Sequence, residues 1–192
     1  MGRHRTISDE QVLLAARQVF RHHGHTASTR QVARAAGISE AVLYQRFGSK
    51  DQLFFAAMHA TGPDVEALLG PAEPAGPARA YLRAAVTRLG EHFAGVIPLA
   101  LRVMTHPSFD PATFSRALPE NHQTLQQALT VRLAVLGRRG ELAASPAAAQ
   151  LLVSLAHDWA LGVALAHDEP AKRVRELRAL VDVVWEGLRP KG

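Results

Sequence analysis

The chain has no cysteine, which excludes disulfide frameworks, thiolate nucleophiles, thiol redox sensing and thiolate metal sites together. Only His, Asp and Glu remain as metal ligands, and no cofactor is expected. Aromatic residues are scarce, at 6%, so any apolar core must be aliphatic. No unbroken apolar run reaches the roughly 20 residues that cross a bilayer. The stretch MGRHRTISDEQ carries charges where a secretory peptide needs an apolar segment, so a cytoplasmic protein without a membrane partner is expected. The chain also lacks a glycine-rich phosphate loop, paired carboxylates and any length of the period-two alternation that marks strands.

These absences weigh against an enzyme. Ser154, His157 and Asp158 fall close together on one apolar segment. Neighbours on a helix diverge by about 100° per residue, whereas nucleophile, base and orienting acid usually converge from separate elements. His22, His23 and His25 straddle Gly24 without a clear fourth ligand, and read as a basic helix terminus rather than a metal site. Neither catalysis nor a bound metal is expected.

What is present is 47% apolar and 20% charged residues in 192, an ordinary globular balance. Apolar residues recur at spacings of three and four almost throughout, so the fold class is all-α. The segment 61–77, TGPDVEALLGPAEPAGP, is dense in Pro and Gly and divides the chain into an N-terminal domain, 6–60, and a C-terminal domain, 78–192. Of the net charge of +5, most lies in the first part, where residues 1–60 hold eight Lys/Arg against four Asp/Glu. That asymmetry suits an N-terminal contact with a polyanion.

The N-terminal domain is punctuated by helix caps. Ser8 with Gln11 and Ser28 with Gln31 have capping-box spacing, and Ser39 and Ser49 begin two further helices, the latter with Gln52 three residues on. The first helix starts near Asp9, carries Val12, Ala15, Ala16, Val19 and Phe20 on its core face, and ends in Arg21, His22 and His23 before Gly24. The second stops at Gly37, a residue that tolerates a left-handed turn. Two short helices joined by a glycine-containing turn and packed on an earlier helix form a helix-turn-helix, whose second helix enters the major groove. In that helix Leu43 and Phe47 share the core face, and the opposite face presents Ala41 and Gln45, flanked by Glu40, Val42 and Tyr44. Gln45 can pair with adenine, Ala41 can touch a thymine methyl and Glu40 can accept from cytosine. Thr29, Tyr44 and Lys50 are placed for phosphates, and an arm with Arg3, His4 and Arg5 precedes the first cap.

The run TRQVARAAGISEAVLYQRFGSKDQLFFAAM, preceded by a helix ending in F-x-x-x-G, resembles the DNA-binding domain of TetR-type repressors over roughly residues 8–58. The A-G-I-S turn at 36–39, the L-Y-x-x-F pattern at 43–47 and the Lys50-to-Leu53 spacing carry the likeness. The common pattern has His before the Phe of the third helix, where this chain has Arg46. The resemblance implies a transcriptional regulator that binds double-stranded DNA, with Arg3, Arg5, Thr29, Ser39, Glu40, Ala41, Tyr44, Gln45, Arg46 and Lys50 as DNA-contact positions. Repression, relieved by a small molecule, is the default mode of such proteins.

In the C-terminal domain, Leu82, Ala85, Val86, Leu89 and Phe93 form one stripe and Leu125, Leu129, Leu133 and Leu136 another, separated by a stretch from Pro98 to Pro119 expected to be helix-broken. A helix over about 147–167 is apolar almost all round. The last helix carries Val174, Leu177, Val181, Val184 and Leu188 in a three-four seam. The seam predicts packing between helices, either closing the chain's own core or joining two copies. TetR-type proteins pair through their last two helices, so the resemblance implies a homodimer there. It also implies an apolar ligand cavity, with Phe93, Met104, His106, Phe114, His122 and Trp159 as candidate contacts and His92, Phe109, His157 and Asp158 on the same segments. These residues do not identify the small-molecule ligand. A helical protein-binding adaptor that does not bind DNA is the alternative reading, kept open by the acidic Glu40 on the exposed face, which is mildly unfavourable beside phosphates.

Overall fold

The computed structural model describes residues 7–58, 63–165 and 170–190, without the side chains of 112–121 and 170–172. All regular structure among the described residues is helical: α1 Asp9–His23, α2 Thr29–Ala36, α3 Glu40–Phe47, α4 Lys50–Met58, α5 Val65–Leu69, α6 Ala78–Met104, α7 Pro111–Arg138, α8 Pro146–Leu165 and α9 Pro170–Leu188, with a 3-10 turn at Gly24–Thr26. The chain forms two compact units, one of residues 1–61 with 99–110, the other of 62–98 with 111–192.

The first unit is built from short helices whose ends are closed locally. Ser8 and Ser28 make full capping boxes with Gln11 and Gln31. Ser49 and Gln52 do the same across the start of α4, with Ser49 N donating to Gln52 Oε1 at 3.0 Å and Gln52 N donating to Ser49 Oγ at 3.1 Å. Gly37 closes α2 in the left-handed region at φ 69°, ψ 28°, the turn that a side chain would strain. Helices this short are marginal alone and need a shared core. Val12, Ala16, Phe20, Val32, Leu43, Leu53 and Phe54 supply it, all fully buried, with the Phe20 and Phe54 rings edge-to-face at 5.0 Å.

The second unit rests on long helices. Leu82, Leu89, Leu125, Leu129, Leu133, Leu136 and Leu152 are fully buried, as the stripes on α6 and α7 predict. Prolines stand at the first position of α7, α8 and α9, where the missing N–H costs no helix bond. The expected break from Pro98 to Pro119 is a correction: α6 continues through Pro98 to Met104 and α7 starts at Pro111, so only 105–110 is non-helical. An internal proline removes one hydrogen bond and kinks a helix. The strong helix formers Leu99, Ala100, Leu101 and Arg102 after Pro98 and the burial of Ile97 outweigh that loss here. The Pro/Gly-rich segment after the first domain also holds a full helical turn, α5, capped by Asp64.

Gly90 permits the close approach of helices in this unit. A Cβ there would come within 2.9 Å of the Trp159 ring and 3.0 Å of Leu177. By length and composition α8 is apolar enough to cross a membrane, the one such helix among the described residues. Its Ala148, Ala149, Leu152, Val153, Ala156 and Ala160 are buried within the unit.

Candidate nucleic-acid interface

The face of α3 opposite its core residue is exposed. Leu43 is fully buried and Phe47 half-buried, while Ala41, Tyr44, Gln45 and Arg46 are exposed. Ser39 is occupied as a cap, its Oγ accepting from Val42 N at 3.2 Å.

Several of the polar residues brace the domain as well as facing outward. Thr29, nearly buried on α2, donates to Glu40 Oε2 at 2.8 Å and lies 3.3 Å from the Tyr44 hydroxyl. Since the threonine has one proton and gives it to Glu40, the tyrosine donates to Thr29, making a chain from Tyr44 through Thr29 to Glu40. Arg30 pairs with the other Glu40 oxygen at 3.4 Å. The carboxylate that seemed ill-suited to a DNA face is therefore compensated inside the helix-turn-helix and helps fix the angle between α2 and α3. Arg46 likewise folds back, donating to the Ile7 carbonyl at 2.6 Å and pairing with Asp9 at 3.3 Å. It ties α3 to the start of α1. Lys50, half-buried, stands at the N-terminus of α4, where backbone amides and the helix dipole favour an anion. The arm residues Arg3 and Arg5 lie outside the described residues.

Residues 99–110 return to this unit, which no pattern in the sequence signals. His106, only 6% exposed, stacks on Phe54 with ring centroids 4.6 Å apart and meets Phe55 edge-on at 5.0 Å. Its Nδ1 accepts from Ser108 N at 3.1 Å and its Nε2 lies 3.7 Å from Asp51, while Ser108 Oγ donates to Asp51 at 2.5 Å. Burial lowers the His106 pKa, opposed by Asp51 and aided by His25 and Lys50. The imidazole is thus a neutral wedge against α4. Its only sequence signal is a histidine and an aromatic beside Pro107 in the 105–110 break.

The other candidate ligand residues divide accordingly. Phe93 and His122 meet in the second unit, stacked at 5.0 Å, with His157 edge-on to both at 5.3 and 4.9 Å and His92 tilted against Phe93 at 5.6 Å. Burial lowers the pKa of His92 and of His122, where His157 adds to the effect. Trp159 is half-buried and its indole donates to the Arg173 carbonyl at 2.8 Å. Met104, half exposed, and His106 belong to the first unit, and the side chain of Phe114 lies outside the described residues. Ser154 and Asp158 are exposed while His157 packs on Phe93, so those three do not converge.

The order of capped helices, the αL turn at Gly37 and the exposed face of α3 reproduce one known pattern. Residues 12–57 match the family model of bacterial regulatory proteins, tetR family. Over those residues the N-terminal domain is similar to the DNA-binding domain of that family. Likeness to TetR-type structures extends over the rest of the chain. A structure from Mesorhizobium loti assigned to the TetR-family transcriptional regulators superposes with a TM-score of 0.72 at 18% identity, covering 95% of this chain and 96% of that one. A TetR-family transcriptional regulator from Pectobacterium atrosepticum gives 0.66 at 20% identity and 99% coverage of both chains. A transcriptional regulator from Rhodococcus sp. Rha1 gives 0.65 at 24% identity, covering 96% and 100%. At these identities the likeness establishes the fold, that of TetR-type regulators. No curated protein matches the chain.

Proposed function

We propose that this protein is a homodimeric transcriptional regulator that binds a palindromic operator through α3 and is released from it by a small molecule held in its second unit. The observation that carries the reading is the face of α3 itself: an eight-residue helix with Leu43 anchored in the core and Ala41, Tyr44 and Gln45 turned outward, in a TetR-type domain. Ala41 and Gln45 would meet base edges. Tyr44, Thr29, Ser39 and Lys50 would hold phosphates, the two hydroxyls of the brace changing partners as DNA arrives. Glu40 and Arg46 would act mainly by orienting the helix. A compensated Glu40 removes the feature that kept a protein-binding adaptor open.

Dimerisation through α8 and α9 is supported by apolar side chains left exposed on them: Leu151 at 52% and Leu165 at 67% on α8, Leu180 at 46% and Val183 at 72% on α9. Leu151 and Leu165 share a face, as do Leu180 and Val183. Leu177 and Val181 of the three-four seam are buried within the chain, so those two positions serve its own core; the dimer face proposed here uses the exposed positions beside them. A two-fold pair would set two copies of α3 against two half-sites. Phe93, His92, His122 and His157 are the best-grouped candidates for the regulatory ligand.

Selection of bound sequences from a random duplex pool by purified protein tests this reading. Enrichment of a palindrome, lost when Leu180→Asp and Val183→Asp together make the protein monomeric, is the expected result. A folded dimer that enriches no sequence would reject DNA reading and return the adaptor as the next hypothesis.

A further inference from the structure

The end of α5 and the segment after it are held by arginines through their carbonyl oxygens. Arg88 Nε donates to Leu68 at 2.7 Å, Arg132 Nε to Gly70 at 3.0 Å and Arg139 to Pro74 at 2.6 Å. Fixed in this way, the segment and the first turns of α6 wall a groove of about 540 Å³ within the second unit, lined in part by Leu69, Pro71, Pro74, Pro77, Tyr81 and Arg88. The walls are mostly carbon and include no Asp or Glu.

One polar group in this lining is left over. Tyr81 is 9% exposed, and its hydroxyl is buried without a hydrogen-bond partner among the described residues. Native proteins rarely leave such a group unmatched. Burial pushes the phenol up to about 12, with the charges of Arg132 and Arg88 pulling the other way, so at neutral pH it is an O–H donor in a positive field. The Arg88 guanidinium uses Nε on the Leu68 carbonyl and makes no other hydrogen bond among the described residues. An unmatched donor and a cation beside an apolar wall call for an acceptor with negative charge on a carbon body.

We propose that this groove binds a small amphiphilic carboxylate, its apolar part along the proline-lined wall and its carboxylate at the Tyr81 hydroxyl and Arg88 guanidinium. The site is separate from the Phe93–His122–His157 cluster and stands whether or not the chain reads DNA.

Octanoate is the probe, with octanol and octylamine as equal-length controls, titrated calorimetrically into the full chain without DNA. Octanoate should bind, octanol at least about tenfold more weakly, since a charge-assisted hydrogen bond is worth about that factor, and octylamine not at all. The chain has two tyrosines, so the ring signal of Tyr81 can be followed by NMR against a Tyr44→Phe background, and it should move with octanoate. Tyr81→Phe should weaken octanoate about tenfold while thermal stability holds or rises, because the variant removes an unmatched hydroxyl. Arg88→Gln should weaken it similarly. Octanoate binding that ignores both substitutions, or no binding up to millimolar concentration, would overturn the proposal. Both results are independent of duplex selection.

Discussion

The two units solve the same problem, keeping helices in place, by different means. In the first, α1, α2 and α4 each begin with a reciprocal Ser/Gln cap and α2 ends on an αL glycine, so local chemistry fixes where each helix starts and stops. In the second, α7 runs 28 residues and α6 supplies its residues 78–98, and both are held by the leucines they bury against their neighbours. Ends set by neighbours in sequence can be located by reading the chain. Faces set by neighbours in space cannot.

The largest test of this contrast is in the core of the first unit. Phe54→Ala removes a fully buried ring that packs on both Phe20 and His106. It should cost about 3–5 kcal/mol in denaturant unfolding. A cost below about 1 kcal/mol would mean that the caps, not the core, hold this unit. In the second unit the matching test is crowding rather than loss. Gly90→Ala drives a methyl toward Trp159 and Leu177 and should cost about 1–3 kcal/mol. A neutral result would show that α6 and α8 are free to separate.

Cap removal comes next. Ser28→Ala should lower stability by about 0.5–2 kcal/mol and fray the start of α2, visible as faster amide exchange at Gln31. Loss of Ser145, whose Oγ accepts from Ala148 N at 3.1 Å on the much longer α8, should matter less, because packing holds that helix.

Helix existence in both units was legible in the periodicity, and the caps placed the boundaries of α1 to α4. The outward face of α3 was legible too, since one anchored leucine fixes which side faces out. The brace of Thr29, Glu40 and Tyr44 was not, because residues 11 and 15 apart meet only when two helices cross. The packing of His106, read from sequence as a ligand candidate, escaped for the same reason, its partners Phe54 and Asp51 lying on a helix about fifty residues earlier. On α9, one three-four pattern is compatible with closing the chain's own core or joining two copies, and the burial of Leu177 and Val181 decides for the core at those positions.

The smallest effects are in pH. His106 has a folded pKa below its ordinary 6.5 through burial, so the stability it contributes is present above that value and is lost as pH falls through the folded pKa. The melting temperature should therefore fall on acidification below about 6.5, and His106→Gln should flatten that slope. An unchanged slope would place the acid sensitivity elsewhere, with His92 and His122 the next groups to replace. In the second unit Asp182 is held near 2 by Arg83 and Arg79, so its contribution is lost only between about pH 4 and 2. Asp182→Asn should remove that contribution above about pH 4 and so flatten the acid limb.

The most direct test of the central claim, that the exposed face of α3 reads DNA, is a salt titration of affinity for a selected duplex by the native chain and by Lys50→Gln and Gln45→Ala. Lys50→Gln should weaken binding to all sequences and reduce the dependence of log K on log salt by about one, as loss of one phosphate contact requires. Gln45→Ala should leave that slope intact and relax preference at one base pair in each half-site. A slope unchanged in Lys50→Gln together with an unchanged preference in Gln45→Ala would contradict the account.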